Sequence, residues 1–333
     1  MKTRRTGFVS GAAICHVRPA TSPNPVNTTA LELREVTKTY GAFTAVDRLS
    51  LTVPTGCVYG FLGPNGAGKT TTLRMILEII RPTHGTITVL GSPSAIAVRR
   101  RLGYLPEEKG LYKKMRAWSV IAYFATLKGL GSAAAKRRAF ELLERYGLRD
   151  FAEARTEALS KGMGQKVQVL AAVAHDPEFV ILDEPFSGLD PVNQTVMEDI
   201  ITDLRARGRT VIFSTHVMAH AERLCDRLVI IARGRKLFDG TPAEARGTLP
   251  RRVRIALEAG GEPVSDLPGV VGRAPLPDGQ WELQLSDGAD PQAVLAACFA
   301  RQIRLRSFSA EEATLHDVFV KLVGPDATEA RFR

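Results

Sequence analysis

Residues Gly63-Pro64-Asn65-Gly66-Ala67-Gly68-Lys69-Thr70 form an unbroken G-x-x-x-x-G-K-[ST] pattern. Its glycines let the backbone turn with N–H groups pointing inward, an anion nest at a helix N-terminus whose dipole favours negative charge. In such a nest Lys69 reaches the β- and γ-phosphates of a nucleotide, Thr70 ligates Mg²⁺, and Thr71 opens the helix beside them. The flanks suit this reading. Val58-Tyr59-Gly60-Phe61-Leu62 is apolar on both faces, as a buried strand is, and Thr71 to Ile80 predicts a helix closed by Pro82.

A phosphate nest needs an acidic partner for the metal. Val180-Ile181-Leu182-Asp183-Glu184 supplies one, a continuous apolar run with two carboxylates at its C-terminal end. Alone, such a pair is an ordinary strand end. Beside the loop, Asp183 becomes the candidate Mg²⁺ ligand and Glu184 the candidate general base for an attacking water. Upstream, Leu31, Leu33 and Val36, then Leu49, Leu51 and Val53, alternate with polar residues and predict two half-buried strands.

Further segments carry a resemblance. Leu159-Ser160-Lys161-Gly162-Met163, followed by Gln165-Lys166, looks like a signature segment; Ser187-Gly188-Leu189-Asp190 looks like a D-loop; Ser214-Thr215-His216 follows an apolar strand, Thr210 to Phe213. With Tyr40 before Gly41, these motifs stand in the order found in ATP-binding subunits of ABC transporters, which residues 31 to about 240 resemble. The resemblance implies an α/β P-loop NTPase cassette, a mixed sheet core plus a helical subdomain. It implies that Tyr40 stacks on adenine and that His216 bonds the γ-phosphate and helps position the water. It also implies that Ser160 and Gly162 face the nucleotide of an opposing copy in a head-to-tail homodimer, with Asp190 touching that copy. Two MgATP would lie between the copies.

Two positions depart from the family pattern. Glu107 stands where the family usually has the Q-loop glutamine; a carboxylate there can bind Mg²⁺ or its water but adds negative charge beside the triphosphate. Lys161 replaces the first signature glycine. The segment Leu105 to Tyr112 nevertheless resembles sodium-efflux and drug-resistance exporter ATPases.

The chain has 333 residues, 44% hydrophobic and 24% charged, an ordinary globular mixture that excludes collagen-like and wholly disordered readings. No apolar run reaches the length needed to span a bilayer. The net charge is +10. Lys2, Arg4, Arg5 and Arg18, with no acid, sit in residues 1–29, expected to be a disordered basic tail. The four cysteines (Cys15, Cys57, Cys225, Cys298) are scattered, without metal-ligand or disulfide-framework spacing, and read as reduced thiols. The expected division is an ATP-binding domain over 30–246, with a helical subdomain at about 92–175, a small α+β accessory domain over 247–324, and a tail over 325–333. Within the helical part, Trp118–Leu130 and Ala133–Tyr146 predict helices. Arg99, Arg100, Arg101, Lys113, Lys114 and Arg116 gather near the Q-loop segment, where the family docks its membrane partner. In the accessory part Asp290-Pro291 predicts a helix start, and Ser309-Ala310-Glu311-Glu312 a capping box opening the last helix.

The expected function is therefore an ATP-hydrolysing exporter subunit, using ATP and Mg²⁺. It would lie on the cytoplasmic membrane face, energise a separate transmembrane permease, and bind no nucleic acid. The alternative is a soluble ABC ATPase acting on nucleic acid or ribosomes. The basic charge supports it, but no tandem cassette or sustained heptad does.

Overall fold

The computed structural model describes residues 29–108, 110, 112–258, 266–286 and 288–324. The basic tail up to residue 28, with Cys15, and the tail 325–333 lie outside the described residues. Strands β1 (Thr29–Tyr40) and β2 (Phe43–Pro54) form an antiparallel hairpin, as the alternation of Leu31/Leu33 and Leu49/Leu51/Val53 predicts. β3 (Val58–Leu62) is buried along its whole length and leads into the phosphate loop and helix α1 (Lys69–Ile76). That helix starts two residues earlier and ends four earlier than the sequence suggests. Glu78, just beyond it, takes a left-handed backbone (φ 56°), and its carboxylate accepts hydrogen bonds from Ser94 Oγ (3.0 Å) and the Ile96 amide (3.2 Å). This distant anchor overrides helix propensity. β4 (His84–Val89) then pairs with β1 and completes a three-stranded antiparallel sheet.

The next strand, β5 (Leu102–Leu105), leads to helices α2 (Ala117–Leu127), α3 (Ser132–Arg145) and α4 (Lys161–Val173). β6 (Phe179–Leu182), α5 (Pro191–Ala206), β7 (Thr210–Thr215), α6 (Met218–Leu224), β8 (Arg227–Ala232) and β9 (Arg235–Gly240) complete the cassette. The central sheet has the order β5-β6-β7-β3-β8-β9, parallel except for β9. β5 lies inside the range 92–175 expected to be helical, yet pairs with β6 and belongs to this sheet.

Strand alternation divides the core in two. Phe61, Phe179, Ile181 and Ile212 point toward α1 and the antiparallel sheet. Val58, Val180, Leu182, Val211 and Phe213 point toward α2–α5. Helix α4, which starts after Ser160, thus shares a continuous apolar core with the strand that leads to Asp183 and Glu184.

The remaining chain holds α7 (Pro242–Arg246), β10 (Arg252–Leu257), β11 (Val270–Pro275), β12 (Trp281–Leu285), α8 (Pro291–Ala300), β13 (Leu305–Glu311) and α9 (Leu315–Val323). The four strands form an antiparallel sheet ordered β11-β12-β10-β13, with Val294 and Cys298 of α8 packed on Val253, Ile255, Leu283 and Leu285. Asp290 caps α8 through the Gln292 amide (2.9 Å). The capping box expected at Ser309–Glu312 is absent. Ser309 and Ala310 lie in β13, opposite Arg254 and Val253, and the box that opens α9 is Thr314 with Asp317. Ladder pairing with a distant strand has won over a local cap pattern. Leu315, Val318 and Phe319 of α9 pack on Met218 and Ala221 of α6 and on Ala245 of α7.

Candidate functional site

The glycines of the phosphate loop are demanded by their surroundings. A Cβ on Gly63 would fall 2.2 Å from the Ile231 carbonyl oxygen, and one on Gly68, whose φ is 102°, 2.5 Å from that of Ala45. The loop is therefore pressed between β2 and β8. Lys69 is only 6% exposed. Its Nζ donates to the carbonyls of Gly63 (2.7 Å) and Pro64 (3.2 Å) and lies 3.4 Å from Glu184 Oε1.

Three strand ends bring the other groups in. β6 ends at Asp183 and Glu184, β7 at Ser214, Thr215 and His216, and the adjacent β3 at the loop itself. Thr70 Oγ1 donates to Asp183 Oδ1 (3.2 Å), as does Ser214 Oγ (2.6 Å). The same Ser214 oxygen accepts the Glu184 amide proton (2.8 Å). His216 Nδ1 lies 3.1 Å from Glu184 Oε2. Glu184 is 9% exposed and adopts φ 47°, a left-handed conformation that is costly for a residue with a side chain.

Asp183 is 1% exposed, and burial raises its carboxyl above the usual carboxylate range, partly opposed by its bonds from Ser214 and Thr70. Its second oxygen, Oδ2, has no hydrogen-bond partner among the described residues. A desolvated carboxylate oxygen without a donor, next to a threonine hydroxyl, fits Mg²⁺, which takes oxygen ligands and shares them with substrate phosphates. Among the described residues there is no cluster of three or more His, Cys, Asp or Glu able to hold a metal by itself.

Phe43, Ala45, Asn65 to Thr71, Glu107 and Glu184 line one cleft of about 340 Å³. Glu107, in the Q-loop place, thus shares the cleft with the loop. Tyr40 does not line it; the ring is 50% exposed and packs against Lys38, whose Nζ is 5.0 Å from its centroid. Phe43, unremarked in the sequence, is the aromatic that lines the cleft.

Ser160, Gly162 and Asp190 also stand outside this cleft. Ser160 is exposed and caps α4 by accepting the Met163 amide proton (3.2 Å); exposed Asp190 caps α5 through the Asn193 amide (2.9 Å). The two meet through Asn193, whose side chain donates to Asp190 Oδ2 (2.6 Å) and lies where a Cβ on Gly162 would come within 2.3 Å. The other histidines of this region are structural: His220 stacks on Phe186 with centroids 4.0 Å apart, and His175 Nε2 bonds the Leu102 carbonyl (3.0 Å).

Two polar side chains with no assigned role hold the Asp183–Glu184 turn. One is Ser214; the other is Gln165, 3% exposed in α4, whose amide donates to the Pro185 carbonyl.

Comparison with known proteins bears on the family. Residues 46–187 match the ABC transporter family and residues 240–323 the C-terminal domain of DrrA1-3-like ATP-binding proteins. The chain is 38% identical over 295 residues to the uncharacterized ABC transporter ATP-binding protein YhaQ of Bacillus subtilis, covering 88% of this chain and 98% of that protein. It is 40% identical over 227 residues to the Nod factor export ATP-binding protein I of Cupriavidus pinatubonensis, covering 67% of this chain and 70% of that one. A solved ATP-binding subunit of an ABC transporter superposes with a TM-score of 0.61 at 32% identity, over 66% of this chain and 93% of the other. CbiO1 from Clostridium perfringens shares the fold, with a TM-score of 0.59 at 24% identity, over 65% of this chain and 90% of its own. With the loop and Glu184 lining one cleft and His216 in contact with Glu184, and with a relative matched along almost its full length, the chain belongs to the ATP-binding proteins of ABC transporters.

Proposed function

We propose that this chain hydrolyses ATP at the cleft between the phosphate loop and Glu184, and that the hydrolysis energises export through a separate transmembrane permease at the cytoplasmic membrane face. The observation that carries the catalytic part is the contact series Lys69–Glu184–His216, with Thr70–Asp183–Ser214 beside it. Lys69 and the loop amides bind the phosphates. Glu184 accepts the proton of the attacking water, and His216, on its other carboxylate oxygen, fixes the direction in which it points. Asp183, Thr70 and Glu107 would hold Mg²⁺, which when bound neutralises charge on the phosphates. Tyr40 or Phe43 flanks the base; Phe43 has the better claim because it lines the cleft.

Ser160, Gly162 and Asp190 are assigned to a second copy's nucleotide in a head-to-tail homodimer. Their support is that they lie at helix starts outside their own cleft, with Ser160 and Asp190 exposed. Export is supported by the Nod factor export relative. No helix among the described residues is long and apolar enough to cross a membrane, which is consistent with a separate permease.

Glu184→Gln tests the catalytic assignment. The variant is expected to keep ATP binding and to lose about 10²–10⁴-fold in turnover, measured as phosphate release. Unchanged turnover overturns the assignment of the base. Turnover that rises with DNA or ribosomes, with no membrane protein co-purifying, overturns the transport reading.

A further inference from the structure

We infer that Gln165 is a positioning residue for the Glu184 carboxylate, tying the signature helix of each copy to the hydrolytic centre of the same copy. The inference rests on Glu184 being the base. Gln165 lies in the second turn of α4 and is nearly inaccessible, 3% exposed. Its side-chain amide spans the gap to β6 and donates to the carbonyl of Pro185. Pro185 follows Glu184, lacks an N–H, and so cannot anchor its turn by donating a hydrogen bond.

Glu184 needs such an anchor. Its backbone is held at φ 47°, a conformation that persists only where neighbouring groups impose it. On one side Ser214 accepts the Glu184 amide proton; on the other, Gln165 donates to the carbonyl one residue on. These two grips, one from β7 and one from α4, fix the peptide that aims the carboxylate at Lys69 and His216.

The second grip comes from a helix with another duty. Ser160 caps the start of α4, five residues before Gln165, and Gly162 sits against Asn193. In the head-to-tail arrangement that end of the helix faces the nucleotide of the other copy. A rigid helix displaced at Ser160 carries Gln165 with it, so occupancy of one cleft is felt by the base of the other without an intervening loop.

The test uses the purified full chain with Gln165→Met, which matches glutamine in length but cannot donate, and Gln165→Asn, which keeps the amide but ends one methylene short. Steady-state MgATP hydrolysis is measured with ATP binding and thermal unfolding, and turnover is expressed per binding-competent site. The expected result is a kcat lower by about 10–100-fold for Met, less for Asn, with KM within about twofold of the unaltered protein. Unchanged kcat per competent site overturns the inference. So does a parallel fall of kcat, binding and thermal stability, the mark of a purely structural role. Should the Met variant fail to fold, the Asn variant is judged by the same split. Turnover that depends on Glu184 yet ignores Gln165 sinks this inference alone; turnover indifferent to Glu184→Gln removes its premise.

Discussion

Ser214→Ala deletes one oxygen with two jobs in a place water does not reach, since the residue is fully buried. The oxygen accepts the Glu184 amide proton at 2.8 Å and donates to Asp183 at 2.6 Å. Losing the first bond strands a buried backbone donor, a cost of about 1–3 kcal/mol; losing the second removes a hydrogen bond to a charged group, about 1.5–3 kcal/mol. The void left by a hydroxyl adds little. Because the two bonds share an atom, we expect the combined effect on the nucleotide-free protein to be about 3–4 kcal/mol. The assay is urea unfolding, read as a lower midpoint with an unchanged slope. Turnover should fall as well, since a freed Glu184 can relax from its left-handed backbone. Saturating MgATP should restore part of the stability, because ligand bound only to the folded state stabilises it. A loss below about 1 kcal/mol, or full turnover, refutes the claim that this hydroxyl organises the site.

Phe319→Ala is expected to cost about 3–5 kcal/mol and to loosen the cassette itself, because Phe319 packs with Met218 and Ala221 of α6. Hydrogen exchange within residues 218–224 should accelerate, and an unchanged α6 would contradict this. Asp183→Asn should raise the melting temperature of the nucleotide-free protein while abolishing Mg²⁺-dependent hydrolysis. Burial raises the Asp183 carboxyl, so its ionised form is a liability to stability as pH rises through that raised value. A drop in melting temperature counts against the argument. Burial, reinforced by the nearby Lys128 ammonium, pushes His175 down to about 4. Its stabilising contribution is therefore complete above the ordinary histidine value of about 6.5 and is lost as pH falls through 4. Discounted for partial exposure, it amounts to about 2 kcal/mol. His175→Gln should flatten this part of the acid unfolding curve, and an identical curve would exclude it.

The sequence was most informative where structure depends on neighbours along the chain. The phosphate loop, the buried strand before it and the Asp183–Glu184 strand end are each encoded within about ten consecutive residues. Ser309–Glu312 misled because the cap pattern is local while the strand partner of Ser309, Arg254, is far away in sequence. β5 stayed hidden because four residues, Leu102–Leu105, carry no periodicity long enough to stand out among flanking helices. The grips of Gln165 and Ser214 on the Asp183–Glu184 turn could not be read at all. They join positions 20 and 30 residues apart, and only the packing of α4 and β7 around β6 creates them. Phe43 went unnoticed for the same reason, since only the fold of the hairpin places it on the cleft.

The packing of α9 on α6 has a consequence for how the protein is made. Met218 and Ala221, on the helix that follows His216, are covered in part by residues 315–319, which leave the ribosome roughly ninety positions later. At about 5–20 residues per second, that is a delay of about 5–18 s. During it the nascent cassette has its phosphate loop and acidic strand but an uncovered apolar wall on the helix that follows His216. A message broken between these two points thus yields a chain with every nucleotide motif and an apolar face of α6 left uncovered.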